Sequence, residues 1–214
     1  MAVVVVGGHS RSVGKTSVVA GIIAAMPEMR WTAVKITQFG HGICSANGEL
    51  CDCATDDHSW AVSEERDRSG GSDSSRFLLS GAVRSLWVRT PQGMLAEAMP
   101  RLRKELASAE NAILESNSVM RFLRPDLYFT VLDAENPDFK ASAKEYLDRA
   151  DAAILQNAQA IGHAVVWQKK VSLKPVQGKA IFHITPPPYV TPEIADFVRE
   201  KILNLPQGNS AMSH

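Results

Sequence analysis

The amino-acid sequence predicts an α/β protein with a three-layer, doubly wound and mostly parallel sheet. Its first apolar run, Ala2–Val6, is rich in valine and ends at Gly7 and Gly8, which is typical of a parallel strand buried on both faces. Further strand-like segments alternate with segments of helical spacing along the rest of the chain. Strands that alternate with helices form mostly parallel sheets with helices on both faces.

The elements follow one another in a regular order. Paired valines and isoleucines at helical spacing predict the first helix over Thr16–Ala25, and Pro27 closes it. Further strands are predicted at Trp31–Ile36, Asn111–Glu115, Leu127–Leu132, Ala152–Gln156 and Ala180–Ile184, and further helices at Ser75–Ala82, Gly93–Ala109, Phe139–Arg149 and Pro192–Leu203. Ser85–Val88 is a short apolar segment without an assigned element. Thr191 is the predicted N-cap of the last helix, with Pro192 as its first residue.

One segment, residues 37–75, breaks this alternation. It is rich in glycine, serine and aspartate and has no convincing periodicity. A loop of this length inside a compact domain usually has a function or is disordered. We therefore expect a single nucleotide-binding domain over residues 1–205, with 37–75 as a long loop or insertion that forms a substrate or metal site. Residues 206–214 are expected to form a flexible tail.

Composition excludes several classes of function. The 23 basic and 23 acidic residues cancel, so no electrostatic signature of a nucleic-acid interface is present. The run Ala2–Val6 is too short for a signal sequence or a membrane span and has no basic flank. We expect a cytoplasmic protein without a nucleic-acid or membrane partner.

The turn between the first strand and the first helix carries the clearest functional pattern. Phosphate loops bind phosphate oxygens through backbone N–H groups and a helix N-terminus, while a lysine reaches the terminal phosphates and a hydroxyl ligates Mg²⁺. Lys15 and Thr16 match these two roles directly after Gly14. The residues predicted to bind the nucleotide are His9, Ser10, Arg11, Ser12, Val13, Gly14, Lys15, Thr16 and Ser17. Arg11 has two possible roles: it stabilises the transferred phosphoryl group, or it lies on the surface and faces solvent or a partner subunit. A partner subunit would make the protein a homodimer.

Two charged residues at strand ends are candidate companions of this loop. Glu115 ends a predicted strand, where a parallel sheet presents ligand-facing groups, and is either a magnesium ligand or a solvated acid. Lys35 follows mostly apolar neighbours and either meets a phosphate or extends its ammonium group to water.

The spacing of the loop resembles that of one family. Five residues separate Gly8 from Gly14, one more than usual, with Val13 before the second glycine. This pattern resembles dethiobiotin synthetase and its relatives: the cobyrinate synthases, the molybdopterin-guanine dinucleotide accessory proteins and the MinD/ParA ATPases. The resemblance implies that Lys35 is catalytic with Lys15, and that Glu115 and Asp73 bind Mg²⁺ with Thr16. Two features depart from that family: Ser116-Asn117-Ser118 replaces its glycine-rich turn, and the substrate loop contains cysteines.

All three cysteines of the chain fall within one stretch of ten residues inside the segment 37–75. Cys44, Cys51 and Cys53, with His58 or His41, form a possible set of ligands for zinc or an iron–sulfur cluster. Their spacing matches no standard zinc signature. Redox chemistry and ordinary free thiols are the alternatives.

These observations predict Mg²⁺-dependent binding and hydrolysis of a nucleoside triphosphate. The resemblance implies phosphoryl transfer to a carboxylate or another ligase-like step of cofactor biosynthesis, with an unknown small-molecule acceptor. The absence of an Asn-Lys-x-Asp motif favours ATP over GTP. The alternatives are a nucleotide-dependent switch or metallochaperone that carries a metal or cluster on the cysteine loop, and a nucleotide-binding protein without turnover.

Overall fold

The computed structural model describes residues 1–39, 60–157, 172 and 174–205 of the chain. The strands are β1 (Val3–Gly8), β2 (Trp31–Phe39), β3 (Ala61–Glu64), β4 (Arg84–Pro91), β5 (Asn111–Glu115), β6 (Leu127–Asp133), β7 (Ala152–Gln156) and β8 (Ala180–Ile184). The α-helices are α1 (Lys15–Ala25), α2 (Asp73–Leu79), α3 (Leu95–Leu106), α4 (Ala141–Glu145) and α5 (Pro192–Leu203). Short 3₁₀ turns cover Pro27–Met29, Ser118–Arg121, Leu147–Arg149 and Lys174–Val176. No helix in this described part of the chain is long and apolar enough to cross a membrane.

The strands form one sheet in the order β3-β4-β2-β5-β1-β6-β7-β8. Neighbouring strands are parallel except β3 and β4, which run antiparallel. β1 lies between β5 and β6, so the loop that follows it leaves from the middle of the sheet. Open α/β sheets bind ligands outside the carboxyl ends of their strands, where this loop lies. The predicted fold class, α/β with a mostly parallel sheet, is confirmed.

The hydrophobic core lies on both faces of the sheet, and β1 contributes to both. Val3 and Val5 pack in the cluster that contains α3 residues, whereas Val4 and Val6 pack with residues of α1 and α5. Complete burial of one such side chain stabilises the fold by about 1.5–3 kcal/mol. The strand that carries the candidate phosphate loop is therefore firmly anchored on both sides.

Part of the segment predicted as an irregular loop is regular structure. β2 continues to Phe39, β3 covers Ala61–Glu64, and α2 begins at Asp73, while residues 40–59 lie outside the described part. β3 is a four-residue strand at the sheet edge, paired only with β4. Alternation over four residues is too short to recognise in a sequence, and this pairing is a tertiary interaction.

The predicted helix over Phe139–Arg149 is shorter and interrupted. α4 ends at Glu145, and Tyr146 leaves the helical conformation before the 3₁₀ turn Leu147–Arg149. This change of direction buries both Tyr146 and Leu147 in the core on that face of the sheet. Tertiary packing thus overrides local helical propensity here.

The last helix begins where the sequence predicts, with Pro192 as its first residue. Thr191 has the extended backbone of an N-cap, but its side chain makes no capping hydrogen bond. Its hydroxyl instead bonds the carboxylate of Glu193.

Candidate functional site

The predicted phosphate loop joins the end of β1 to the start of α1. Gly14 has a positive φ of 76° at the N-cap of α1, and a Cβ added there would lie 2.3 Å from the Tyr189 ring. Glycine adopts this backbone without strain, which explains why this position is a glycine. Among the described residues no side-chain capping hydrogen bond is made at this N-cap, so the first N–H groups of α1 face a position where an anion could bind.

A cleft of about 780 Å³ opens beside this loop, at the carboxyl ends of the central strands. Its charged lining residues are the cations Arg11, Lys15, Lys35, Arg76 and Lys140 and the acids Asp73 and Glu115. Positive charge in a concave site attracts polyanions. The cleft therefore has the electrostatic character of a phosphate site.

Lys15 extends back over the loop, and its Nζ donates a 2.6 Å hydrogen bond to the carbonyl oxygen of Ser10. Burial lowers the pKa of Lys15 to about 8, although the carboxylate of Glu115 acts in the opposite direction. A buried ammonium group gains from any additional negative charge that comes within reach. Lys15 is thus poised to bind an anion.

Four side chains predicted at separate places in the sequence meet next to Lys15. The Thr16 hydroxyl donates a 2.8 Å hydrogen bond to Glu115, and Lys35 Nζ lies 2.7 Å from the other oxygen of that carboxylate. The same Nζ lies 2.5 Å from a carboxylate oxygen of Asp73. Sheet register explains the arrangement, because Lys35 on β2 is directly paired with Glu115 on β5.

Opposite charges determine how this cluster is ionised. Burial opposes the charge of Lys35, but the carboxylates of Glu115 and Asp73 outweigh it and raise the pKa of Lys35. Burial likewise opposes ionisation of Asp73, and Lys35 outweighs it and lowers the pKa of Asp73. Both members of this pair are therefore charged at neutral pH.

The first residues of the loop face away from the cleft. His9 is fully buried, and its Nε2 accepts a 3.0 Å hydrogen bond from the N–H of Asp133. The backbone N–H of His9 donates to Val131, and the Ser10 hydroxyl donates to the Asp138 carboxylate at 2.7 Å. Both residues were predicted to bind the nucleotide, yet these groups are engaged with β6 and with the segment that follows it.

The remaining predicted loop residues divide between the cleft and the core. Arg11 and Ser12 are exposed and line the cleft, and Ser12 has a positive φ of 55°. Val13 is buried, and its carbonyl oxygen accepts a 2.8 Å hydrogen bond from Gln156. The Ser17 hydroxyl lines the cleft and accepts a 3.0 Å hydrogen bond from Arg76.

Sequence reasoning missed a clamp on the loop. Asn117 accepts a hydrogen bond from the N–H of Gly8 and donates one to its carbonyl oxygen, both at 2.8 Å. A Cβ added to Gly7 would lie 2.1 Å from Asn117 Oδ1 and 2.6 Å from the Tyr128 hydroxyl. The available signal was Ser116-Asn117-Ser118 immediately after Glu115, where dethiobiotin synthetases have a glycine-rich turn.

The cysteine site lies outside the described residues. Cys44, Cys51, Cys53 and His58, together with His41, all belong to residues 40–59. Within the described ranges, no group of three or more His, Cys, Asp or Glu side chains is arranged to hold a metal. Zinc or cluster binding on the cysteine loop stays a prediction.

Comparison with known proteins identifies similar structures without identifying a family. No protein-family model and no curated protein sequence matches the chain. The solved structures that resemble it include LpxK from Aquifex aeolicus in complex with ATP, at 16% identity and a TM-score of 0.50, covering 86% of this chain. This chain spans about half of LpxK, 53% of its length.

Two further structures are more distant in shape. HypB from Helicobacter pylori, in complex with nickel, has 16% identity and a TM-score of 0.48, covering 97% of this chain and 90% of that one. MobB from Bacillus subtilis has 15% identity and a TM-score of 0.40, covering 94% and 97% respectively. At 16% identity the match to LpxK supports the α/β fold alone, and the finer resemblance to dethiobiotin synthetase stays a prediction.

Proposed function

We propose that the cleft binds and hydrolyses a nucleoside triphosphate in a Mg²⁺-dependent reaction. One observation carries the proposal: Glu115, at the end of a central strand, contacts both the Thr16 hydroxyl and Lys35 beside Lys15. A hydroxyl, a carboxylate and two lysines grouped at a helix N-terminus are the side chains that a triphosphate site requires.

In this proposal the phosphates bind to the backbone N–H groups at the start of α1 and to Lys15. Lys15 would exchange its bond with the Ser10 carbonyl for phosphate oxygens, which relieves the cost of burying its charge. The Gly8 end of the loop is already held by Asn117, so little reorganisation is needed on binding.

The oxygen ligands at this site fit magnesium. Thr16, Glu115 and Asp73 would hold Mg²⁺, which prefers such hard oxygen ligands and neutralises charge on the phosphates when bound. Lys35, which ion-pairs with both carboxylates, would then turn towards the terminal phosphate. Its charge would stabilise the phosphoryl group during transfer.

We propose ATP as the nucleotide and a small acid as the acceptor. The sequence has no Asn-Lys-x-Asp motif, and the structure of LpxK with a similar fold contains ATP. During transfer, the bond from the γ-phosphorus to the β,γ-bridging oxygen breaks, a bond to an acceptor carboxylate oxygen forms, and ADP leaves. With water as acceptor, the products are ADP and inorganic phosphate. The carboxylate acceptor rests on the resemblance to dethiobiotin synthetase.

A second function, a nucleotide-controlled metal carrier, is favoured by the clustering of the three cysteines at positions 44, 51 and 53. Metal analysis of anaerobically purified protein tests it. One zinc or iron per chain that is lost in Cys51→Ser supports the carrier, and metal-free protein contradicts it. Release of ADP that is stimulated by carboxylic acids supports the transferase instead.

Calorimetric titration with Mg²⁺ and a non-hydrolysed ATP analogue tests the main proposal. Loss of a charged hydrogen bond costs about 1.5–3 kcal/mol, so Lys15→Ala should weaken binding roughly 10- to 100-fold. Lys104→Ala, on the exposed surface of α3, is the matched control and should leave the affinity unchanged. Equal affinities of wild type and Lys15→Ala would contradict the proposed site.

A further inference from the structure

One lysine of the cleft was not predicted to have any role. Lys140 precedes α4, is half-buried, and lines the same cleft as Lys15 and Lys35. Its ammonium group makes no hydrogen bond or ion pair with another residue in the described part of the chain. A half-buried charge without a partner is costly, and an anionic ligand would remove that cost.

The backbone around Lys140 is fastened directly to the phosphate loop. Its N–H donates a 2.8 Å hydrogen bond to the carbonyl oxygen of His9. Two more bonds join the loop to the same segment: His9 Nδ1 to the Asp138 carbonyl oxygen at 2.6 Å and the Ser10 hydroxyl to the Asp138 carboxylate at 2.7 Å. At the end of β6, the Asp133 N–H donates to His9 Nε2 at 3.0 Å. The segment between β6 and α4 therefore holds Lys140 at a defined position beside the loop.

The charges around Lys140 indicate what it binds. Burial lowers the pKa of Lys140, and the guanidinium of Arg11 and the ammonium of Lys35 lower it further, against the carboxylate of Asp138. Lys140 in turn contributes to the lowered pKa of Lys15. The ammonium groups of Lys15, Lys35 and Lys140 line the same cleft, and their positive charges repel one another. The carboxylates of Glu115 and Asp73 offset this repulsion at Lys35, and an anion bound beside Lys140 would relieve it there.

We propose that Lys140 binds the terminal phosphate of the triphosphate, from the side of the cleft opposite Lys35. This inference rests on the proposed function and adds to it a third lysine ligand. The terminal phosphate is assigned because Lys15 reaches the last phosphates in such loops, and Lys35 and Lys140 are its cationic neighbours. The first phosphates, by contrast, lie at the backbone N–H groups of α1.

The test compares triphosphate and diphosphate binding by calorimetry, with Mg²⁺ and non-hydrolysed ATP and GTP analogues against ADP and GDP. Lys140→Met keeps the apolar stem and removes the charge. We expect it to raise the Kd of the triphosphate roughly tenfold and that of the diphosphate less than threefold. Lys144→Ala, one helical turn further on the exposed face of α4, is the matched control. Lys140→Arg should recover most of the triphosphate affinity.

The outcomes separate this inference from the function on which it rests. If wild type binds no triphosphate, the proposed function and the role of Lys140 both fail. If wild type binds it and Lys15→Ala weakens binding, but Lys140→Met binds like wild type, only the role of Lys140 fails. Equal weakening of triphosphate and diphosphate also overturns it, because Lys140 would then act on the shared phosphates or on the fold. A thermal midpoint close to wild type excludes unfolding as the cause.

Discussion

The two walls of the cleft differ in chemistry and in how firmly they are held. One wall lies over the central strands and carries Lys15, Glu115, Asn117 and Lys140; we call it the phosphate wall. Hydrogen bonds connect its loop to the segments that follow β5 and β6, the two strands beside β1. The wall over β2 and β4, here the edge wall, carries Thr37, Gln38 and Trp87, which are uncharged. Lys35 lies between the two walls, since its register neighbours are Glu115 on one side and Trp87 on the other.

This difference suggests that the two walls bind different parts of the reacting molecules. A triphosphate needs many fixed donors and charges, which the central strands provide through buried and well-bonded residues. The edge wall presents an indole and uncharged polar groups instead, and one of its two strands, β2, ends directly before residues 40–59 in the sequence. Under the proposed function, the phosphate wall would set nucleotide affinity and the edge wall would meet the acceptor.

The largest effect should come from removing the carboxylate that joins the walls. Glu115 is only 3% exposed, and Glu115→Ala leaves half-buried Lys35 with Asp73 alone. Breaking a buried ion pair typically costs about 3 kcal/mol or more, so we expect a loss of that size in the free energy of unfolding, measured with urea. The affinity for triphosphate should also lose its dependence on Mg²⁺.

Glu105→Ala is the matched control for that variant. Glu105 on α3 is likewise paired with two side chains, Arg84 at 2.9 Å and Arg101 at 2.6 Å, but it lies away from the cleft. Glu105→Ala should lower the free energy of unfolding by less than about 1 kcal/mol, and triphosphate binding should still depend on Mg²⁺. If both variants lose the same amounts of stability and nucleotide affinity, the proposed role of Glu115 in binding Mg²⁺ and nucleotide is wrong.

The parts of the site that depend on contiguous sequence were predictable. β1, the loop and α1 follow one another without interruption, and Lys35 and Glu115 could be placed because both belong to recognisable strands, although β2 continues beyond Lys35 to Phe39. Parallel strands put their carboxyl ends at one edge, so the meeting of these side chains follows from fold class and register. Their roles in binding nucleotide stay predictions.

The parts that depend on distant segments were not predictable. His9 and Ser10 occupy phosphate-binding positions in the pattern, but their side chains face a segment more than 120 residues away in the sequence. Lys140 belongs to a predicted helix with no visible motif, and its position depends on the same bonds. No local pattern reports contacts of that range, which arise only once the sheet has assembled.

The second prediction concerns the clamp that holds the phosphate wall. Asn117→Ala removes both bonds to Gly8, and we expect a loss of about 2 kcal/mol in unfolding free energy together with weaker triphosphate binding. Asn111 offers a matched control at the far end of β5. It also bonds two backbone groups, the N–H of Ala2 and the carbonyl oxygen of Met29, both at 2.8 Å. Asn111→Ala should lose similar stability and keep wild-type affinity; a parallel loss of affinity would contradict the clamp.

The third prediction is a pH dependence of the phosphate wall. Lys15 has a pKa of about 8 in the folded chain, against an ordinary value of 10.5. Since phosphate binds the charged form, the Kd of the triphosphate should be steady between about pH 6.5 and 7.5 and rise up to about tenfold per unit above pH 8. The stability of the free protein should change in the opposite sense. Between pH 8 and 10.5 the unfolded chain holds the extra proton, so this lysine makes the fold more stable as pH rises.

Calorimetry at several pH values between 6.5 and 10.5 measures the change in Kd, and urea unfolding over the same pH range measures the change in stability. Lys15→Arg keeps its charge at higher pH, so the break in affinity should move upwards in that variant. An unchanged break would show that another group causes it.

The smallest effect on triphosphate affinity is expected from a substitution in the edge wall. This substitution tests directly whether the two walls have different roles. The Trp87 indole donates a 3.0 Å hydrogen bond to Thr37 and stacks with Arg89 at 4.5 Å. If this wall meets only the acceptor, Trp87→Ala should keep the Kd for the triphosphate within about twofold of wild type, while Lys140→Met on the opposite wall does not. A nucleotide base stacked on an aromatic ring contributes about 1–3 kcal/mol, so stacking on Trp87 would appear as a fivefold or larger loss that Trp87→Phe recovers. That result would assign the base to the edge wall and leave the acceptor to the side of Lys140.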